Sequence, residues 1–434
     1  MTGWTTEREA EVTTEQSQLV DGIDLSDLEF WALPWTEREA AFKTLREKRP
    51  IAFFEEPEVD DLPFPRGPGY YAITRYQDVV EMSRHPELFC SGKSATSIFD
   101  MPQEFLEFFG SMINMDDPRH ARLRRIVSAS FNPRMVGSVE LSIQEVADSI
   151  IEKVRNVGEC DFVTQVSSRL PLQVICDMMG IPESDYDTVF HASNVILSMG
   201  DPEYVPEGAD PVATLLNAGA ELAGLMEGLA AFRVENPTDD LTSALLHANV
   251  DGESLTHQEL ASFFILLLVA GNETTRNATS HGLVALTEHP DQRAAWMADV
   301  EGVTPTAVDE IVRWATPVIF MRRTVTEATT VSGHDFKEGD KCILFYNSAN
   351  RDEDVFENPE TFDVTRSPNP HIGFGAPGPH FCLGTHLAKR EITVMYRELF
   401  KHLPDIRATA EPDRLKSSFI NGIKHLPCTF SPGA

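Results

Sequence analysis

Paired cysteines are missing from this sequence. Its six cysteines, Cys90, Cys160, Cys176, Cys342, Cys382 and Cys428, form no Cys-x-x-Cys motif. Their spacing suggests no disulfide framework, and a chain of 434 residues needs none. Each of the five other than Cys382 is read as a buried structural cysteine, the usual fate of a free thiol. A reducing cytoplasm is the simplest home. Long apolar runs are missing too. The longest, Phe263 to Gly271, is far too short to span a bilayer. Met1 to Leu19 is polar and acidic, without the basic and apolar regions of a signal peptide. The expectation is a chain without a membrane anchor. Positive charge is scarce: 36 Lys and Arg against 68 Asp and Glu, a formal net charge of -32. Phosphate binding needs a basic face, so this balance argues against nucleic acid as a partner.

What is present is a globular composition, 42% hydrophobic and 24% charged. No repeat and no Pro/Gly/Ser linker divides it. Residues 1–20 read as a flexible acidic tail and residues 21–434 as a single domain. The fold class is mainly α with small β-sheets. Helices are expected over Arg119 to Ser130, Leu141 to Val157, Leu170 to Met179 and Leu215 to Val234. A long one should run from the capping box Thr256-His257-Gln258-Glu259 to Glu288, stopped by His289-Pro290. Strands are expected over Tyr70 to Thr74, Thr324 to Ser332 and Lys341 to Phe345, with a hairpin around Asn421-Gly422 within Phe419 to Phe430.

The segment Phe374-Gly375-Ala376-Pro377-Gly378-Pro379-His380-Phe381-Cys382-Leu383-Gly384 is a constrained loop. It runs into a helix, Thr385 to Phe400, with an apolar stripe of Ala388, Ile392, Met395 and Leu399. Cys382 therefore stands at a helix N-terminus, where free N–H groups and the dipole favour thiolate over thiol. A thiolate is the ligand a haem iron needs to cleave an O–O bond. The alternatives are a buried structural cysteine, or zinc held by His380, Cys382 and His386; the latter lacks the usual paired spacing.

The loop resembles the haem-binding signature of the cytochrome P-450 family. It departs in one respect: Phe374 stands eight residues before Cys382 rather than seven. A one-residue insertion near Ala376-Pro377 accounts for this. The likeness runs from about Asp24 to Thr429. Stretches such as Asp27 to Leu33, Val269 to Asn277 and Asn421 to Lys424 are similar to mycobacterial-type methyl-branched lipid omega-hydroxylases and related cholesterol C26/27 monooxygenases. The resemblance implies a single triangular fold, with haem b (iron protoporphyrin IX) between the long central helix and the cysteine-loop helix.

It also implies roles for particular residues. Cys382 is the axial iron ligand. Ala270-Gly271-Asn272-Glu273-Thr274-Thr275 matches the oxygen-activation motif. Gly271 costs roughly 1 kcal/mol mid-helix, and a widened helix there can receive a small ligand. Thr274 would hydrogen-bond dioxygen, the co-substrate, and Glu273 would feed protons from solvent. Glu310 and Arg313 match a buried structural pair, with Arg366 as its third member. His120, Arg124, Arg323 and His380 match the partners of the haem propionates. Phe374, Gly375, Gly384, Ala270 and Gly271 would border the ring. Ile98, Phe99, Ile196, Leu197, Phe263, Leu267, Val318, Ile319, Phe419 and Ile420 would line an apolar substrate pocket, against a bland reading of ordinary core packing.

The implied reaction is insertion of one oxygen atom into the terminal C–H bond of a methyl-branched fatty acid or isoprenoid lipid. A sterol side chain is the alternative substrate, and a non-catalytic haem sensor the alternative of another class. Electrons would come from NAD(P)H through ferredoxin and ferredoxin reductase, to a monomer. Arg119, Arg122, Arg124, Arg125 and Arg134, with Lys389, Arg390 and Arg397, form the expected basic face for an acidic ferredoxin.

Overall fold

The structure, a computed structural model, describes residues 20–56, 66–130, 133–198, 201–205, 208–250 and 252–433. Of the acidic tail expected over residues 1–20, residues 1–19 lie outside the described residues, and Val20 bridges to Ile23. In chain order the helices are α1 (Trp35–Lys48), α2 (Tyr76–Arg84), α3 (Gln103–Gly110), α4 (Arg119–Ser130), α5 (Pro133–Val154), α6 (Arg169–Met179), α7 (Tyr186–Leu197), α8 (Pro211–Glu235), α9 (Leu241–His247), α10 (His257–Glu288), α11 (Pro290–Ala298), α12 (Val300–Ala315), α13 (Tyr346–Ala349) and α14 (Thr385–His402). The strands are β1 (Ile51–Phe54), β2 (Tyr70–Ile73), β3 (Phe89–Cys90), β4 (Glu159–Asp161), β5 (Phe320–Val325), β6 (Thr329–Val331), β7 (His334–Phe336), β8 (Lys341–Phe345), β9 (Arg407–Ala408), β10 (Asp413–Arg414), β11 (Ile423–His425) and β12 (Pro427–Thr429).

Helix α10 is the axis of the molecule. The Thr256 hydroxyl accepts from the Glu259 N–H at 3.2 Å, and the Glu259 carboxylate accepts from the Thr256 N–H at 2.9 Å. This reciprocal cap satisfies two of the otherwise orphaned donors. The helix then packs against α3, α6, α7, α8, α12 and α14. Its side chains are consequently buried on nearly every face. The main core gathers Phe264, Ile265 and Leu268 of α10 with Ile175 of α6, Ile311 of α12 and Met395 of α14. A second cluster joins α1 to the main sheet through Phe42, Tyr70, Ile343 and Phe345, and includes Ile98, Ile319, Phe419 and Ile420.

The main sheet has the order β1-β2-β8-β5-β3, and β2 runs parallel to β8. Smaller sheets pair β4-β12-β9, β10-β11 and β6-β7.

Several expected boundaries move. Helix α5 begins at Pro133 rather than Leu141 and stops at Val154. A proline lacks only an N–H that the first turn leaves unpaired, so Pro133 opens a helix as well as closing the one before. Helix α8 begins at Pro211, capped by Asp210, whose carboxylate accepts from Val212 and Ala213 N–H. The strand expected over Thr324 to Ser332 is two: β5 starts earlier, at Phe320, and β6 forms a separate hairpin with β7. Asn421-Gly422 turns no hairpin, because β11 pairs with β10, and β12 with β4 and β9. Asn421 is instead buried, donating to the Ala315 carbonyl at 2.6 Å. A side chain at Gly422 would meet Leu415 Cβ at 2.8 Å, so the glycine serves close packing.

Candidate active site

The cysteine loop is closed on itself. The Cys382 N–H donates to the Phe374 carbonyl at 2.9 Å, and Gly375 N–H to the Ile372 carbonyl at 2.9 Å. Gly375 adopts φ +94°, a conformation open to glycine. A Cβ on Gly378 would lie 2.4 Å from the Ser83 carbonyl, so the longer loop can pass α2 only with glycine there. Phe374 packs on the main core, and the Lys389 ammonium sits 5.6 Å from its ring centroid.

Cys382 is exposed, immediately before α14. Its thiol nonetheless lies above the ordinary value, because dense surrounding protein disfavours the thiolate. The N–H groups of Gly384 and Thr385, the Thr385 hydroxyl and Arg124 oppose this. The helix end does pull the thiol down, as expected, but desolvation outweighs it. His380, Cys382 and His386 do not form a three-ligand cluster among the described residues, which removes the zinc arrangement.

On α10, accessibility follows a stripe. Between Leu260 and Leu286, Leu267, Ala270, Gly271 and Thr274 stay partly or fully accessible while nearly all neighbours are buried. These positions recur at i, i+3, i+4 and i+7, one face of one helix. The buried central helix thus opens along a single apolar face bearing one hydroxyl. The helix is not widened at Gly271: it runs unbroken, and a Cβ there would make ordinary contact with Ile175 at 3.4 Å. The Thr274 hydroxyl donates back to the Ala270 carbonyl at 2.8 Å.

Glu273 is not open to solvent. It is 1% exposed and pairs with buried Arg276. Burial pushes its carboxyl above the ordinary range, with Arg276 opposing. Arg276 also donates to Asn194 Oδ1 of α7 at 2.8 Å.

Four basic side chains converge beside the cysteine loop. The His120 and His380 rings lie 4.2 Å apart. Burial, followed by the charges of Arg323, His120 and Arg124, depresses His380 to about 2. Arg323 is 3% exposed and donates to the Arg322 carbonyl at 2.8 Å. Arg124 donates to the Phe381 carbonyl at 2.6 Å. His120 Nε2 is buried without a hydrogen-bond partner among the described residues, although Asp117 lies 3.4 Å from its Nδ1. The charge of buried Arg323 and half-buried Arg124 calls for an anion, while the two imidazoles, kept neutral by burial, offer N–H donors. A flat cofactor with two carboxylates fits: acceptors and countercharge for two arginines and two imidazoles, an accessible sulfur, and an open apolar helix face.

Behind the loop, Glu310 and Arg313 are fully buried and bidentate, at 2.7 and 2.8 Å. Arg366 Nε reaches Glu310 at 3.1 Å, the expected third member. The two arginines also hold the carbonyls of Asn350, Glu357, Asn358, Pro359 and Thr361.

The expected basic face is largely cancelled within the chain. Arg119 pairs with Glu107, Arg122 with Glu259, Arg125 with Glu253, Lys389 with Asp309 and Arg397 with Glu301. The side chain of Arg134 lies outside the described residues. The excess of acids over bases supplies these partners. Glu301, Asp309, Lys389, Arg390 and Arg397 line one surface cleft of about 360 Å³ between α12 and α14.

The ten pocket candidates divide. Ile98, Phe263, Ile319, Phe419 and Ile420 are buried in the two clusters. Phe99, Ile196, Leu197, Leu267 and Val318 are partly accessible. Leu197 touches both clusters, and Val318 bridges to Ile420.

Fold and site together are those of a haem-dependent oxidoreductase. Residues 225–418 match the profile of the family described as Cytochrome P450. The chain is 48% identical to the Methyl-branched lipid omega-hydroxylase of Mycobacterium tuberculosis over 412 residues, 94% of this chain and 95% of that protein. It is 41% identical to the Steroid C26-monooxygenase of the same organism, over 95% of this chain and 94% of that protein. A Mycobacterium marinum cytochrome P450 in complex with pseudoionone superposes with a TM-score of 0.89 at 43% identity, covering 95% of this chain and 99% of that one. The chain belongs to the cytochrome P450 family, and it is a monooxygenase that uses haem iron and dioxygen.

Sequence reasoning missed Arg276, Asn194 and Glu391. Glu391 is buried on α14 and pushed up to about 8 by desolvation, with the Thr275 hydroxyl of α10 pulling it down. A carboxylate on the apolar stripe of Ala388, Ile392 and Met395 was the signal for it.

Proposed function

We propose that this monooxygenase hydroxylates the terminal carbon of methyl-branched fatty acids or isoprenoid lipids. The observation that carries the reading is the 48% identity, over nearly the whole chain, to methyl-branched lipid omega-hydroxylases, against 41% to steroid C26-monooxygenases. A methyl terminus offers no polar handle, so it must be selected by shape among apolar side chains. The accessible face of Leu267, Ala270 and Gly271 and the partly accessible Phe99, Ile196, Leu197 and Val318 suit that task. Buried Ile98, Phe263, Ile319, Phe419 and Ile420 would back them.

Haem b supplies the oxygen activation and the C–H insertion. Cys382 would hold its iron. A bound cation deprotonates a coordinating thiol outright, reversing the effect of burial on Cys382. His120, Arg124, Arg323 and His380 would take the propionates, and Phe374, Gly375, Gly384, Ala270 and Gly271 would border the ring. Thr274 would present a hydroxyl proton at its Oγ1, with Glu273 as the acid behind it. Electrons would pass from NAD(P)H through ferredoxin reductase and ferredoxin. Residues 21–434 would act as one catalytic domain, a monomer in the cytoplasm. Among the described residues no helix is long and apolar enough to cross a membrane.

The test is a titration of ferric protein with a methyl-branched fatty acid and with a cholesterol-type sterol, followed by absorbance. A low-spin to high-spin shift with the branched acid alone supports the proposal. A shift with the sterol alone moves the enzyme to side-chain hydroxylation of sterols. Product formation with a reconstituted electron-transfer chain excludes a haem sensor.

A further inference from the structure

We propose that Cys160 and Cys428 form a peroxide-reactive dithiol site that closes to a disulfide. The two stand directly opposite each other on the antiparallel strands β4 and β12. Flanking ladder bonds, Phe430 N–H to the Gly158 carbonyl and Phe162 N–H to the Leu426 carbonyl, both 2.9 Å, fix that register. The sulfurs are 3.3 Å apart. Directly opposed residues lie about 4.5–5.5 Å apart at Cα, within the roughly 4.4–6.8 Å that a disulfide bridges. No strand needs to slide for the bond to form.

The two thiols are not equivalent. Cys428 is 2% exposed and Cys160 is partly accessible. The Cys428 S–H lies within reach of both Cys160 Sγ and, at 3.4 Å, the Cys160 carbonyl, and the contact between the sulfurs pulls the Cys160 thiol down and pushes Cys428 up. The more accessible sulfur is therefore the better thiolate. Cys90, Cys176 and Cys342 are buried, and desolvation raises all three. Oxidation should select Cys160.

The chemistry balances with hydrogen peroxide as the oxidant. The Cys160 thiolate attacks peroxide, the O–O bond breaks, and a proton completes water, leaving a sulfenic acid. The Cys428 sulfur then attacks Cys160 Sγ, the S–O bond breaks, and a second water departs with the thiol proton. Two thiols are oxidised by two electrons and one peroxide is reduced to two waters. A monooxygenase that reduces dioxygen without hydroxylating substrate releases this same oxidant.

The experiment treats the ferric holoprotein with a small excess of hydrogen peroxide, alkylates free thiols and maps peptides without reduction. The expected result is one cross-linked pair joining Cys160 to Cys428, two hydrogens lighter than the separate thiols and reopened by dithiothreitol. In Cys428→Ser, dimedone should trap a sulfenic acid at Cys160. Both cysteines remaining alkylatable in the wild-type protein, at peroxide levels that oxidise its methionines, overturns the proposal without need of any variant. A dimedone adduct at Cys160 in the wild-type protein, with no cross-link, overturns the closing step.

Discussion

Arg276 stands one turn beyond Glu273 on α10 and neutralises it inside the protein, while its other nitrogen holds Asn194 of α7. The acid beside Thr274 is thus tied to the helix that carries Ile196 and Leu197. Breaking a buried pair from one side leaves an uncompensated charge, at a cost of about 3–5 kcal/mol. Arg276→Met should lose stability on that scale and push Glu273 further up. The double variant Glu273→Gln with Arg276→Met should recover much of the loss. Denaturation midpoints of the four proteins close the cycle. Glu273→Gln should also raise the ratio of peroxide to product in turnover, as should Thr274→Ala. An unchanged ratio in both would remove the proton-delivery role from the pair.

Glu310 is held by two arginines, and its network ties α12 to the segment from Asn350 to Arg366 that leads toward the cysteine loop. Arg313→Ala would strand the carbonyls of Asn350 and Pro359 and half-unpair Glu310. A loss of about 3–5 kcal/mol is expected, seen as a lower denaturation midpoint and poor recovery of haem-loaded protein. Arg366→Ala should cost less, since Arg313 keeps both carboxylate oxygens engaged. Equal losses would show that the pair and its third member act as one unit.

Much of this was legible because the signals are local. The Thr256–Glu259 box, the His289-Pro290 stop after Glu288 and the Gly/Pro loop before Cys382 each act within a few residues. The triad of Glu310, Arg313 and Arg366 was placed by family pattern, which carries information from beyond the local window. What failed depended on burial. Arg322 and Arg323 disguise the start of β5 because charged residues rarely read as core strand; here Arg322 is buried on Asp100 and the carbonyls of Ile98 and Phe99. Glu273 reads as a solvent relay until Arg276 is seen folded against it. Cys160 and Cys428 read as separate structural thiols because 268 positions separate them.

Glu391 gives a pH dependence with a definite sign. Its carboxyl is raised from 4.5 to about 8, so between those values the folded state holds a proton that the unfolded chain releases. The folded state binds more protons there, and stability falls as pH rises through the window. Glu391→Gln keeps the shape and removes the ionisation. Its denaturation midpoint should change less than that of the wild-type protein between pH 5 and pH 8.5. Parallel pH curves for the two proteins would show that Glu391 is not the titrating group.

The paired charges along α12 and α14 change what an electron donor meets. Two of the three cations that an acidic ferredoxin would meet here carry their own carboxylate: Asp309 for Lys389 and Glu301 for Arg397. The field of such a pair decays faster than that of a free charge, so long-range steering by this cleft is weak. Ferredoxin-supported turnover of the wild-type enzyme should therefore vary little with salt. Glu301 is 79% exposed, so replacing it is structurally benign. Glu301→Gln uncovers Arg397 and should speed turnover with an acidic ferredoxin at low salt. The gain should vanish near 1 M salt, where the screening length is about 3 Å. Arg397→Glu should act in the opposite direction. If neither variant alters the rate at low salt, the donor docks elsewhere; if both do, the acids of this cleft set the rate of encounter by masking its cations.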